Sequence, residues 1–324
     1  MRRRTKDLLD AVMWIADTQH GLITASQLSE IGFASSTLQR RTRTGGPWRR
    51  LLPGIYTVTN GMPTVEQREQ AGLLFAGAGG CLTGFTALRR RGIRYPPDGP
   101  ASGMIHTLIP IDRHRKSSGF VIIERTHRLP ATMNLGGFPC ASVARAVVDG
   151  CRRITDRRAT RALLLETVQS GMTTVEELSD ELRRAQRRGT ALLSDALKDA
   201  RAGVRSAPEA EVRDLVLQAP IPEPLWNPSI YLPDDTFLAQ PDGLIAESMV
   251  AIEVDSRAHH SAKGDWENTL DRHTELTSAG LLVVHIAPSR FRANPMKYVD
   301  QIVTTHRQGL QRTLPNLRVV PKHS

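Results

Sequence analysis

The sequence predicts an α+β multidomain chain, and three observations lead there. Its 324 residues exceed what a single core usually holds. Helix-like and strand-like segments alternate in short, dissimilar runs with no internal repeat. The formal net charge of +10 is unevenly divided, at +14 over residues 1–205 (32 basic, 18 acidic) and −4 over residues 206–324 (11 basic, 15 acidic). A basic front half facing an anion and a back half with another task follow from that division. Hydrophobic residues make up 40%, too many for a disordered chain, and no apolar run approaches the roughly 18 residues of a membrane span. Acidic residues interrupt the segment behind the basic start, so it reads as an amphipathic helix and not a signal peptide. Cys81, Cys140 and Cys151 lack CxxC spacing, which argues against a disulfide framework or zinc ribbon and points to a reducing cytoplasm.

In the front half, Leu8, Leu9, Val12, Met13, Ile15 and Ala16 form a helical apolar stripe. A short GLIT run follows, and Thr24 with Gln27 has the spacing of a capping box. The helix opened there stops at Gly32. Ser35 and Ser36 are candidate N-caps for a short basic helix, TLQRRTRTG, and two strand-like runs (48–52 and 55–58) meet across Pro53 and Gly54. Three short helices and a hairpin make a winged helix-turn-helix pattern. The DNA-contact candidates are Ser36, Gln39, Arg40, Arg41 and Arg43 on the third helix, with Arg49 and Arg50 on the wing. The competing reading is a solvated face of arginines; the hairpin and the +14 half favour DNA. The stretch GLITASQLSEIGFASSTLQRRTRTGGPWRRLLPGIYTV, with the wing motif at Leu52-Pro-Gly-Ile-Tyr56 and CLTGFTALRRRGI downstream, resembles AbiEi-type antitoxins of type IV toxin–antitoxin systems over roughly residues 5–180. That resemblance implies a DNA-binding head used for promoter autoregulation.

Residues 1–62 are thus read as the winged-helix domain and 63–204 as a mixed α/β and helical connector region. The connector has β-like runs at 104–110 and 120–126 around a basic loop whose Arg113, Arg115 and Lys116 are either phosphate contacts or, as is commoner, the ordinary charge of an exposed loop. Four helices are expected over 141–202, with their arginines facing solvent.

Residues 205–324 make the third domain. A helix opens at Ser206 and ends before Pro220. Strand-like runs cover 224–232, 236–247 and 249–256, then a helix at about 263–279, a buried-looking strand at 281–287 and a last helix at about 295–310. Helix, three strands, helix, strand is the αβββαβ order of the restriction-endonuclease-like core. Asp242 ends the second run in a PDG step, and Glu253 and Asp255 alternate along the third, on one strand face. Two acids on one strand face repel unless a cation compensates them, and hard oxygen donors favour Mg²⁺ or Mn²⁺, which activates water for phosphodiester hydrolysis. The alternative is a solvent-facing strand side without function. His259 and His260 are candidates for proton transfer, and Asp271 and Arg272 lie on the next helix.

This segment is similar to the very-short-patch-repair (Vsr)-like branch of the PD-(D/E)xK superfamily over about residues 206–308. The resemblance puts the helix acid at Glu209, the strand aspartate at Asp242 and the ExD pair at Glu253 and Asp255. It puts the turn histidine at His259 or His260 and the helical pair near Asp271 and Arg272. The implied metal ligands are Asp242, Glu253 and Asp255, with Glu209 in support and Arg272 bracing the acids or a phosphate. Three departures stand out: Ser256 and Gln240 replace customary glycines, and Asp255 stands where an ExK lysine would orient water. Two functions follow: a Mg²⁺-dependent DNA endonuclease or nickase steered by the winged helix, or an autorepressing antitoxin with a non-catalytic nuclease-like scaffold. A third reading makes the back half a module that recognises a partner protein, such as a cognate nucleotidyltransferase toxin.

Overall fold

Apolar spacing and capping set the first elements of the chain, for which a computed structural model describes residues 2–93, 103–254 and 263–322. The chain divides into two units, residues 1–154 with 180–189, and residues 155–179 with 190–324. It is an α+β protein with several small sheets. No helix among the described residues is long and apolar enough to cross a membrane.

The first unit begins with α1 (Arg2–Asp17), β1 (Leu22–Thr24) and α2 (Ala25–Glu30). Thr24 caps α2 through a full capping box with Gln27, and Gly32 takes the positive φ of 74° that ends the turn. Then come α3 (Ser35–Thr42), β2 (Arg49–Leu52) and β3 (Ile55–Thr57). Ala34, not a serine, is the N-cap residue of α3, with no side-chain bond, and Ser35 and Ser36 enter its exposed first turn. The three strands form an antiparallel sheet in the order β1-β3-β2. Val12, Ile23, Leu28, Phe33 and Trp48 close its core, and Phe33 stacks on Trp48 at 5.4 Å between ring centroids.

The same unit continues through α4 (Val65–Ala76), β4 (Cys81–Leu82), α5 (Gly84–Arg89), β5 (Ile105–Pro110), β6 (Val121–Thr126), β7 (Thr132–Leu135), β8 (Phe138–Ala141) and α6 (Val143–Cys151). The residue pattern predicts two strands here, and the sheet has five, in the order β6-β5-β4-β8-β7. The additional strands escape period-two reading because β4 and β8 are short and largely buried, so no polar face alternates with an apolar one. The cysteines are free and buried, and burial pushes the Cys81 and Cys151 thiols up to about 12.

In the second unit α7 (Arg157–Gln169), α8 (Val175–Arg184, whose last turns belong to the first unit), α9 (Ala191–Arg201) and α10 (Ala207–Val216) precede the strands. These are β9 (Leu225–Trp226), β10 (Ser229–Tyr231), β11 (Phe237–Ala239), β12 (Gly243–Ile245) and β13 (Val250–Val254). The chain ends through α11 (Lys263–Ser278), β14 (Leu282–Ile286), α12 (Pro288–Ala293), α13 (Pro295–Gly309) and β15 (Arg318–Val320). The runs 224–232 and 236–247 each split into two strands that join different sheets, β14-β13-β12-β9 and β11-β10-β15. Asn227, at a left-handed φ of 50°, turns the chain between β9 and β10. Pro241, which lacks a ladder donor, lies between β11 and β12. Within the four-stranded sheet β13 and β14 pair in parallel, joined by the α11 crossover, with Glu253 opposite His285.

The expectation that arginines of the 141–202 helices face solvent fails at two positions. Arg145 is 8% exposed and pairs with Asp149 at 2.9 Å and Glu181 at 3.4 Å. Arg161 is 3% exposed, bonding Asp199 at 2.7 Å and Asp214 through two bonds of 2.7 and 2.8 Å. Asp149, one turn along the same helix, and acids on neighbouring helices (Glu181 for Arg145, Asp199 and Asp214 for Arg161) draw these guanidinium groups inward. Replacing Arg161 by Met leaves Asp199 buried and under-compensated, so unfolding stability should fall by about 3 kcal/mol in a urea titration. Arg157→Ala, at an exposed pair with Asp195, should cost less than about 1 kcal/mol. Equal effects from the two substitutions would refute the internal role of Arg161.

Candidate functional site

Two regions collect the sequence-predicted residues, one in each unit. On α3, Ser36, Gln39 and Arg40 are exposed, as is Arg43 at its C-cap, and their spacing of three, four and seven residues puts them on one helical face. Leu38, on the other side, packs into the core. Arg41 is half-buried, with its guanidinium 5.0 Å from the Trp48 ring centroid. Of the wing candidates Arg50 is exposed. Arg49 is held by the Asn60 carbonyl at 3.0 Å and the Met62 sulfur at 3.3 Å. The stripe is therefore displayed above a core closed by Phe33 and Trp48, and it contains no acid.

In the second unit the β12–β13 register sets Gly243 opposite Ile252, which brings Asp242 level with Glu253 across the strand pair. Asp242 accepts a 2.7 Å hydrogen bond at Oδ2 from the Val254 amide. Glu253 is 8% exposed, so the solvent-facing reading of this strand fails for it: all five residues of β13 are buried. Arg272 on α11 lies 3.1 Å from Glu253 Oε1 through Nη2, and the same group donates to the Gln240 carbonyl. The helical arginine thus meets the strand glutamate.

Glu209 is 5% exposed and engaged elsewhere. Its Oε2 accepts from the Arg205 amide at 2.9 Å and from Asn227 Nδ2 at 2.9 Å. Asn227 in turn donates its amide to the Asp242 carbonyl at 2.9 Å and accepts from Gln240 Nε2 at 3.1 Å. Gln240 Oε1 accepts from Arg205 Nη1 at 2.7 Å, so Gln240 bridges Arg205 and Asn227. A hydrogen-bonded chain from Glu209 through Asn227 to Asp242 joins α10 to the acidic strand end.

Asp255, His259 and His260 lie outside the described residues, as does Ser256. Asp271 is exposed. The residue pattern gives no sign of Asn227, Arg205 or the pair His273–His285, whose Nδ1 and Nε2 atoms stand 2.9 Å apart. Only the parallel register reveals that His285 stands beside Glu253. Among the described residues no group of three or more His, Cys, Asp or Glu side chains is arranged to hold a metal ion. Asp242 and Glu253, level with each other in the β12–β13 register, are hard oxygen donors of the kind that suit Mg²⁺ or Mn²⁺. No family model matches the chain, and no curated protein matches it significantly.

The Val254–Asp242 bond is testable apart from any activity. Asp242→Ala removes a charge-assisted acceptor and should lower stability by about 1.5–3 kcal/mol, whereas Asp242→Asn keeps an acceptor and should lose less. Equal urea midpoints for wild type and both variants would show that this bond does not hold the strand end.

Proposed function

We propose that the chain is a double-stranded DNA-binding protein with a winged helix-turn-helix head and a restriction-endonuclease-like domain for Mg²⁺-dependent phosphodiester hydrolysis. The observation that carries the DNA reading is the exposed, acid-free stripe Ser36, Gln39, Arg40 and Arg43 on the helix that precedes the β2–β3 hairpin. The helix–strand–helix–helix–hairpin order supports a recognition helix entering the major groove, with Arg50 reaching a flanking phosphate. In the second unit Asp242 and Glu253, joined by Asp255, would hold the metal. When bound, a divalent ion supplies a lowered water pKa and charge stabilisation at a phosphoryl oxygen. The Val254 amide fixes the Asp242 carboxylate, the Glu209–Asn227 chain braces its backbone, and Arg272 balances Glu253. His259 and His260 remain proposed proton-transfer groups.

One observation favours a second reading. Glu253 already has a cation, Arg272, at 3.1 Å, and Glu209 is occupied by loop bonds. Internal compensation of this kind suits a scaffold that needs no metal, which is the autorepressor antitoxin with a nucleotidyltransferase toxin as partner.

Two measurements separate these claims. In a salt titration with duplex DNA, the triple variant Gln39→Ala, Arg40→Ala, Arg43→Ala should bind more weakly, and its slope of log K against log salt should be shallower by roughly 0.9 for each phosphate no longer neutralised. Unchanged affinity and slope would remove the DNA-binding assignment from α3. With supercoiled plasmid, the wild type should nick or cut in Mg²⁺ or Mn²⁺ and not in EDTA. Asp242→Asn and Glu253→Gln should be slower by at least about 100-fold, as expected for losing several kcal/mol of charge stabilisation. Plasmid left intact by the wild type under every condition would leave the regulator reading standing.

A further inference from the structure

A second basic feature lies in the first unit, behind the turn of the hairpin. A cavity of about 480 Å³ is lined by Pro53 of the β2–β3 turn, Phe75 in the last turn of α4, and Arg113, His114, Arg115 and Lys116 of the loop after β5. Its size falls within the range of ordinary ligand sites. No acidic side chain lines it: Asp112, the acid of the same loop, lies outside the lining. Two of the cations are held by contacts that fix their direction. The Arg115 guanidinium stands 4.8 Å from the Phe75 ring centroid. Arg113 packs on Gly77, where a Cβ would come within 2.6 Å of its Nη1, and Gly77 has a φ of 82° that disfavours any side chain. Glycine at 77 therefore makes the room that Arg113 occupies, at the C-terminal end of α4 where a cation is favoured.

Arg113, Arg115 and Lys116 form no ion pair with a carboxylate among the described residues. Cations gathered around one cavity repel each other, and an anion placed between them relieves that repulsion. We infer that this cavity is a phosphate site, and that its occupant is a backbone phosphate of the same nucleic acid that α3 and the wing engage. The inference rests on the DNA-binding reading, because Pro53 places the cavity at the tip of the proposed wing. A fork of arginines suits a phosphodiester bidentately, whereas lysine adds a point charge. The site extends the nucleic-acid footprint beyond the recognition helix without reading sequence, as backbone recognition does.

The test uses the full chain, a mixed-sequence DNA duplex and inorganic pyrophosphate. The double variant Arg115→Ala, Lys116→Ala changes two exposed side chains, and an unchanged thermal midpoint confirms that it folds. It should bind the duplex roughly 10- to 30-fold more weakly near physiological salt, with a slope shallower by about 1.8, the change expected when two phosphates are no longer neutralised. If wild type binds the duplex, the α3 variant is weakened and this double variant matches wild type in affinity and slope, the inference is overturned while the DNA reading survives. If wild type binds no duplex, the DNA reading fails and takes this inference with it; if the α3 variant binds as wild type does, α3 loses its DNA assignment, and the inference, which seats the cavity on the nucleic acid that α3 engages, falls with it. Calorimetric binding of pyrophosphate that the double variant abolishes, with duplex affinity unchanged, also overturns it and assigns the cavity to a free phosphate compound.

Discussion

Two carboxylates level with each other on adjacent antiparallel strands repel, and burying one of them raises the cost further. Glu253 on β13 and Asp242, which immediately precedes β12, are level in that register, and several groups of the second unit reach them. The Val254 amide takes up one oxygen of Asp242. Arg272 reaches Glu253 from α11, the helix that also makes the parallel β13–β14 pairing possible as a crossover. Asn227 ties the Asp242 backbone to Glu209 and α10. Each of these groups supplies a donor or a positive charge to an acid that a packed interior would otherwise reject.

That constraint accounts for where the backbone departs from what the residues foretell. The two long strand-like runs break at Asn227, which bonds the Asp242 carbonyl, and near Pro241, which precedes Asp242. A continuous strand at 224–232 would keep Asn227 in the ladder; in the left-handed conformation it is released to bond Gly203, Glu209, Gln240 and Asp242. Gln240 fits the same logic. A glycine there would leave Arg205 Nη1 and the Asn227 carbonyl without the amide that now joins them.

The head is more legible in the sequence than the site, and for a physical reason. Its elements are fixed locally: the Thr24–Gln27 capping box, the stop at Gly32, and the Pro53–Gly54 turn between two short strands act within a few residues. Asp242 and Glu253 are legible by period two and the PDG step, but their partners are not. Arg272 stands out as a helical arginine, whereas His285 gains its meaning only from the register that sets it beside Glu253. The strands β4, β7, β8 and β15 escape notice because strands of two to four residues carry too little alternation to register.

Net charge, the feature that first separated the two halves, needs the same correction for three-dimensional pairing. Arg145 and Arg161 count fully toward the +14 of residues 1–205, yet both are buried against acids and present no charge to a polyanion. Arg90 on Glu69 and Arg153 on Glu124 are likewise paired; the bonds that Glu124 receives outweigh its burial and hold its carboxyl down to about 2. On the DNA-binding reading proposed above, what remains to attract phosphate is a smaller set of cations: Arg40 and Arg43 on α3, Arg50 on the hairpin, and the loop carrying Arg113, Arg115 and Lys116. A field concentrated in those places is short-ranged under physiological screening, because the Debye length is about 8 Å. Binding that depends on it must be geometric, with each cation close to one phosphate, rather than a diffuse attraction set by the chain's overall charge.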